Sequence, residues 1–296
     1  MDDERNNAAK TDPQETLRNE AFSFDDQLEM ERKGAMAGIN PMFGEWQHHF
    51  AFAPVPYGNG AIRRGEFRAA IQANLTNQWL YANEISLEIN LHVDVQNTLE
   101  TDQTADLDNY AKAILDGLKG PNGIMIDDTQ VQSLAISWID GYGAASFTVA
   151  AKSSPDDFVL KPQEFYEMPD GLWYPHGRVL WTDGHAESIS DFNHYAGLSI
   201  IELMSSTQRR VRVEARKAGV TRLRAYQIGR YVSTSARGFH RSRIEGDFLM
   251  HPRREWQTER ANWSKSNAGE FQRVEELLDK MRKSHELMIA ALTSRS

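Results

Sequence analysis

The stretch DLDNYAKAILDGL, residues 106–118, sets Asp106, Asp108, Lys112 and Asp116 beside the apolar Ala111, Ile114, Leu115 and Leu118. The apolar residues fall at i, i+3, i+4 and i+7, so the spacing predicts a helix of about ten residues with one buried face, stopped by KGPNG. Asp108 or Asn109 is expected to cap it, because either side-chain oxygen can accept from the free N–H groups of the first turn. Lys112 and Asp116 then follow Asp108 at four and eight positions, stacked on the face away from Ile114 and Leu118. Asp106 and Asp108, two apart on the extended entry, point the same way. One edge of the helix gathers charge while the other is buried.

Before this helix, EISLEINLHVDV (84–95) alternates without a fault, with Ile85, Leu87, Ile89, Leu91, Val93 and Val95 on one side. It reads as a strand with one wet face. Upstream, EFRAAIQANLTNQWL (66–80) repeats Phe67, Ile71, Leu75 and Trp79 every four residues and reads as a helix. Before it, HHFAFAPVP (48–56) reads as a short strand ended by prolines, with His48 and His49 as strand residues rather than ligands. Downstream, VQSLAISW (131–138) and ASFTVAA (145–151) read as two more strands. The expected order is β, α, β, α, β, β, an α+β fold.

The chain has 296 residues, about 40% of them hydrophobic, and no cysteine. Disulfides and thiolate metal sites are excluded, and the composition suits a reducing cytoplasm. No apolar run approaches the ~18 residues of a membrane span, and the acidic MDDERNNAAK lacks the pattern of a signal peptide. The net charge of −9 hides an asymmetry. Residues 1–45 hold 5 basic and 11 acidic residues, and residues 46–150 hold 5 and 12. Residues 205–265 hold 15 and 5. A basic island in an acidic chain points to a polyanion, or to an ion-paired face against the acidic half.

After the helix, GIMIDDTQ (123–130) brings Asp127 and Asp128 on a chain that can double back toward the first pair. Clustered carboxylates repel unless a cation neutralises them, and oxygen-only ligands suit Mg²⁺, with Mn²⁺ a possible substitute. DLDNYAKAILDGL followed by GIMIDDTQVQSLAIS resembles the signature of the RusA-type Holliday-junction resolvases: Asp-x-Asp-Asn-x-x-Lys, a short helix, a Gly-containing turn, Asp-Asp and a strand. The resemblance covers roughly residues 46–152. It implies a RusA-like small mixed sheet with packed helices, a Mg²⁺ site at Asp106, Asp108 and Asp128, and a catalytically important Lys112. Asp127 and Asp116 are secondary candidates. It also implies four-way DNA junctions as substrate and a homodimer, in a bacterial or phage-type cytoplasmic context. The turn LKGPNGIMI is slightly longer than in the family, and the extensions at both ends depart from it.

Residues 1–45 read as an acidic, disordered arm, and residues 153–296 as a basic, mainly helical extension. Within it, residues 211–231 have the spacing of a helix-turn-helix, with Gly219 in the turn and Thr221 as cap of a second helix that exposes Arg222, Arg224, Gln227 and Arg230. Arg209, Arg210, Arg212 and Arg216, with Arg63 and Arg64 in the core, complete the expected DNA contacts. GLWYPHGRVLWTDGH (171–185) reads as a satellite core with ordinary histidines, not a metal site. Residues 268–293 carry a heptad stripe from Phe271 to Leu292, packing on the chain itself or on a second copy. The expected function is a Mg²⁺-dependent endodeoxyribonuclease for branched DNA. The alternatives are a regulator or architectural protein that no longer cuts, and a nuclease for flaps or forks.

Overall fold

The computed structural model of the chain describes residues 39–40, 44–94, 106–141, 143–155, 157–182 and 185–293. The first half is organised by a five-stranded sheet in the order β1-β2-β6-β4-β5. Its members are β1 (Ile39–Asn40), β2 (Glu45–Phe50), β4 (Ile85–Val93), β5 (Val131–Asp140) and β6 (Ser146–Lys152). Only β4 and β5 run parallel, from Ile85↔Val131 to Val93↔Asp140, and the chain between them crosses over through α2 (Leu107–Leu118). Residues 39–40, inside the segment read as an arm, pair with β2; residues 1–38 lie outside the described residues.

The alternation of β4 is realised residue by residue. Ile85, Leu87, Ile89 and Leu91 are buried, and Ser86 and Glu88 are exposed. They pack on Phe67 and Ile71 of α1 (Ala61–Ala73) and on Ala113, Ile114 and Leu118 of α2. The helices approach closely because residue 117 is glycine: a Cβ there would stand 2.5 Å from Ile71 Cδ1. Ile71, Ile89, Ile114 and Leu118 are all 0% exposed, and burying such side chains contributes about 1.5–3 kcal/mol each.

Two expected boundaries are corrected. The first helix runs 61–73, not 66–80: Asn74 ends it, its side chain donating to the Ala70 carbonyl at 2.8 Å, and Trp79 opens a strand, β3 (Trp79–Tyr81). The N-cap position of α2 is Asp106, whose side chain makes no capping hydrogen bond, so Asp108 already lies within the first turn.

The C-terminal half is mostly helical but opens with short strands that sequence reading missed: β7 (Phe158–Leu160), β8 (Glu164–Glu167), β9 (Trp173–His176), β10 (Val179–Thr182) and β11 (His185–Ser188). β7 pairs with β3 and so joins this half to the core. Then come α3 (Asp191–Lys217), α4 (Arg222–Gly229), α5 (Arg241–Ile244), β12 (Leu249–His251), α6 (Arg253–Ser266) and α7 (Ala268–Thr293). α3 and α4 form a helical hairpin through Gly219 at φ +85°, with Thr221 Oγ1 accepting from Arg224 N–H. Val211, Ala215, Ala225 and Ile228 bury its inside. On α7, Val274 and Leu278 pack against Tyr195, Leu198 and Trp263 of the same chain. Among the described residues no helix is long and apolar enough to cross a membrane.

Candidate active site

Two groups of side chains, at the two ends of α2, make up the candidate site. At the N-terminal end Asp106 and Asp108 are exposed, and the Asp106 carboxylate makes no capping hydrogen bond. One turn on, Lys112 stands 3.8 Å above the ring of Tyr57, and the Arg64 guanidinium lies 4.1 Å from the same ring. Tyr57 is tied to this end of the helix by its N–H, which donates to the Asn109 carbonyl at 3.1 Å. The loop after Pro56 therefore brings the Tyr57 ring within reach of both Lys112 and Arg64, one turn along α2 from Asp108.

At the C-terminal end Lys119 meets Asp116 at 3.0 Å and Asp128 at 3.5 Å. Burial would lower the Lys119 ammonium, but the Asp116 hydrogen bond and the charges of Asp116, Asp128 and Asp127 outweigh it, and the net shift is upward. Arg243, from α5, reaches to 3.8 Å of Asp128, and Arg237 donates to the Thr129 carbonyl at 3.1 Å. Asp127 is buried and engaged: its Oδ2 accepts from Thr129 N–H at 3.0 Å and Thr129 Oγ1 at 2.5 Å. Gln130 is wholly buried and holds this turn with four bonds. It accepts from Ile126 and Asp127 N–H at 2.7 and 3.1 Å, and donates to the Tyr81 and Asn83 carbonyls, both at 2.8 Å. A cleft of about 470 Å³ runs between α1, α2 and α5, lined by Arg64, Arg68, Asp116, Lys119, Asp127 and Arg243 among others.

The family comparison matches the same part of the chain. Residues 63–149 fit the family model described as endodeoxyribonuclease RusA. This stretch of the chain is similar to a RusA-type core. That core takes in α1 to the middle of β6, with both ends of the candidate site inside it, and residues outside it form extensions. RusA proteins are a nuclease family of the Holliday-junction-resolvase type, acting on branched DNA and generally dependent on a divalent metal. No curated protein matches the chain.

Against the residues expected for the RusA-type site, the structure brings together Asp116, Lys119, Asp127 and Asp128 at one end of α2, and Asp106, Asp108 and Lys112 at the other. It does not unite the two groups. The axial rise from Asp108 to Lys119 is about 16 Å in a regular helix. Among the described residues no three or more His, Asp or Glu side chains are disposed to hold a metal ion. The donor chemistry of these carboxylates fits a hard divalent cation. His48 and His49 lie in β2. Trp173 and Tyr174 are buried in β9, while the side chains of Trp181 and His185 lie outside those described.

The basic residues sort by engagement. Arg63, Arg209, Arg210 and Arg222 are exposed. Arg224 is exposed and donates to Gln227 Oε1 at 3.3 Å. Arg212 lies 4.6 Å from the Tyr226 ring, and Arg216 donates to the Val220 carbonyl at 2.7 Å, so both also serve the hairpin itself. Arg230 is paired with Glu84 at 3.2 Å. Sequence reading missed Tyr57, Gln130, Arg237 and Arg243. Gln130 had a signal, since Asp127-x-x-Gln130 is a capping-box spacing that the structure realises. The two arginines had none, because only the tertiary fold carries them to Asp128.

Proposed function

We propose that the protein is a structure-specific, divalent-cation-dependent endodeoxyribonuclease that hydrolyses phosphodiesters in four-way junctions, with Asp106, Asp108, Lys112 and Asp128 as its functional residues. One observation beyond the family match supports this reading: Asp106 stands at the N-cap position without capping. A carboxylate there usually accepts from the first-turn N–H groups, and this one is left to other work. Lys112, held over Tyr57 on the next turn, is placed to meet a phosphate oxygen arriving beside Asp106 and Asp108. The exposed Arg209 and Arg210, and the hairpin bearing Arg222 and Arg224, supply positive charge that the core, at 5 basic and 12 acidic residues over 46–150, lacks.

The test is nicking of a synthetic four-way junction with and without Mg²⁺ or Mn²⁺, beside flaps, forks and linear duplex. Cutting of the junction with the linear duplex spared is expected, and Asp108→Asn should abolish cutting while leaving junction binding intact. A rate within about threefold of wild type in that variant means the assigned site is wrong. Junction binding with no cutting in either metal would favour the regulator, and preference for a flap or fork the other nuclease.

A further inference from the structure

Two hollows along α3 share a wall and lie apart from both ends of α2. The first, of about 630 Å³, is lined by Asp170, Leu172, Gln208, Arg209, Arg212 and Arg216 among others. The second, of about 920 Å³, lies between the core sheet and the helical hairpin, and its lining takes in Glu84, Asp157, Arg212, Tyr226, Arg230 and Arg237. Leu172, Gln208 and Arg212 line both, so the two form one continuous groove. Either hollow alone has the size of a small-ligand pocket, ~300–1,000 Å³, and the pair exceeds it, which suits an extended ligand.

The charges of the groove are unevenly spent. Each carboxylate in its wall is already engaged: Glu84 meets Arg230 at 3.2 Å, Asp157 accepts from Asn83 Nδ2 at 2.5 Å and from Ser153 Oγ, and Asp170 accepts from Leu172 N–H at 3.0 Å and Tyr174 O–H at 2.7 Å. Arg209, Arg212, Arg216 and Arg237 form no ion pair among the described residues. Arg212 is the most exacting of the four. It passes Gly229, where a Cβ would stand 2.7 Å from its Nε, and lies 4.6 Å from the centre of the Tyr226 ring. That Nε is buried and has no hydrogen-bond partner among the described residues. A cation so placed, without a carboxylate, is matched best by an anion brought from outside. Tyr226 is 43% exposed although it lines the groove, and Ser154, Ser233 and Ser235 add hydroxyl groups.

We propose that this groove binds a single unpaired DNA strand, with its phosphates along Arg209, Arg212, Arg216 and Arg237 and a base stacked on Tyr226. Arginines that track a backbone beside an open aromatic ring are the chemistry of single-strand recognition, because every unpaired base has a face to stack. A duplex keeps its bases stacked on one another and offers none to Tyr226. The groove also has a direction. Arg209 and Arg216 lie in the first hollow, Arg212 in both and Arg237 in the second, and Arg237 donates to the carbonyl of Thr129, the neighbour of Asp128. A strand laid along it runs from the hairpin toward the Asp128 turn, so the extension selects branched DNA with an unpaired stretch. Binding in the groove does not depend on the reading of Asp106, Asp108 and Asp128 as a nuclease site.

Fluorescence anisotropy with the whole chain in EDTA, where metal-dependent cutting cannot occur, tests the groove separately from the nuclease. The probes are a labelled thymidine oligomer of about twenty nucleotides and a duplex of the same length. The single strand should bind about tenfold tighter than the duplex, and Tyr226→Leu should weaken single-strand binding about fivefold while leaving duplex binding within about twofold. Arg209→Gln should weaken single-strand binding and flatten its salt dependence by roughly 0.7 for the one phosphate released. Equal affinity for the two probes overturns the proposal, and so does a Tyr226→Leu variant that binds the single strand as wild type does. Asp108→Asn should bind both probes as wild type does, so an error in the nuclease reading leaves these outcomes unchanged. Should Tyr226→Leu not fold, photo-cross-linking of wild type replaces it: a strand carrying 5-iodouracil should attach within α4, and attachment only elsewhere overturns the proposal.

Discussion

Lys119 and Asp128 meet at 3.5 Å, at the far end of α2 from Asp108. Lys119 also meets Asp116 of α2 at 3.0 Å, and the charge of Asp127 on the facing turn acts on it too. Lys119→Met should cost about 1–2 kcal/mol in urea unfolding at pH 7, a figure kept low because all the partners remain partly exposed to water. The Lys119 pKa is raised, so its contribution is complete below its ordinary 10.5 and lost only above that. Wild type and variant should therefore differ by a constant amount from about pH 6 to 9 and converge in strong alkali.

The ring of Tyr57 is a shelf for Lys112 and Arg64. Tyr57→Phe keeps the ring and the backbone bond to Asn109, and should leave nicking unchanged. Tyr57→Ala removes the surface over which Lys112 is held, and should lower kcat about tenfold with little change in KM. Equal impairment in both variants would show that the hydroxyl, not the ring, matters.

Gln130 satisfies four backbone groups from a fully buried position. Gln130→Leu fits the space but leaves those groups without partners, and should cost about 3 kcal/mol or more in chemical denaturation. Gln130→Glu retains the acceptor and removes the donor pair, so both variants should be clearly less stable than wild type.

The exposed Arg209 and Arg210 separate binding from folding. Arg209→Gln with Arg210→Gln should leave the melting temperature within about a degree or two, and should flatten the salt dependence of junction binding by roughly 0.9 for each phosphate that is no longer neutralised. Arg212→Gln should instead lower the melting temperature, since that side chain packs on Tyr226.

His176 and His194 face each other at 5.0 Å in the C-terminal core, with Tyr166, His251, Glu164 and Arg178 around them. Burial pushes His176 down to about 4 and His194 to about 3. The unfolded chain takes up protons near 6.5 and the folded chain does not. Their contribution is therefore present above about pH 6.5 and lost as pH falls toward about 4. His194→Phe keeps the ring contacts and removes two buried nitrogens with no hydrogen-bond partner among the described residues. It should melt no lower than wild type at pH 7 and give up less stability on acidification.

What the sequence discloses follows how local each signal is. The alternation of β4 and the apolar stripe of α2 record burial against a large core, and both elements form where the periods indicate. Trp79 prolongs the period of α1 by coincidence: it belongs to β3, whose partner Leu160 is far along the chain and leaves no trace near it. Strands of three or four residues, such as β7 and β12, are too short to show a period. In the candidate site the residue types are legible, because Asp-x-Asp, Lys and Asp-Asp lie within one crossover. Their direction is not, because spacing along the chain does not say that a helix will carry Asp106 and Asp128 to opposite ends.

The pairing of β3 with β7 also sets a timetable for synthesis. Leu80 and Ile126, the latter two residues before Asp128, are buried against Phe165, Trp173, Phe239, Ile244 and Phe248. The last three of those partners leave the ribosome more than a hundred residues after Ile126. At roughly 5–20 residues per second the delay is on the order of ten seconds. Until then the Asp128 turn lacks its floor, and Arg243 does not yet exist to reach it. The extension thus acts as a clock: a nascent chain that already holds residues 63–149 does not yet have a finished Asp128 turn, and the proposed nicking activity should appear only as the last third of the protein emerges.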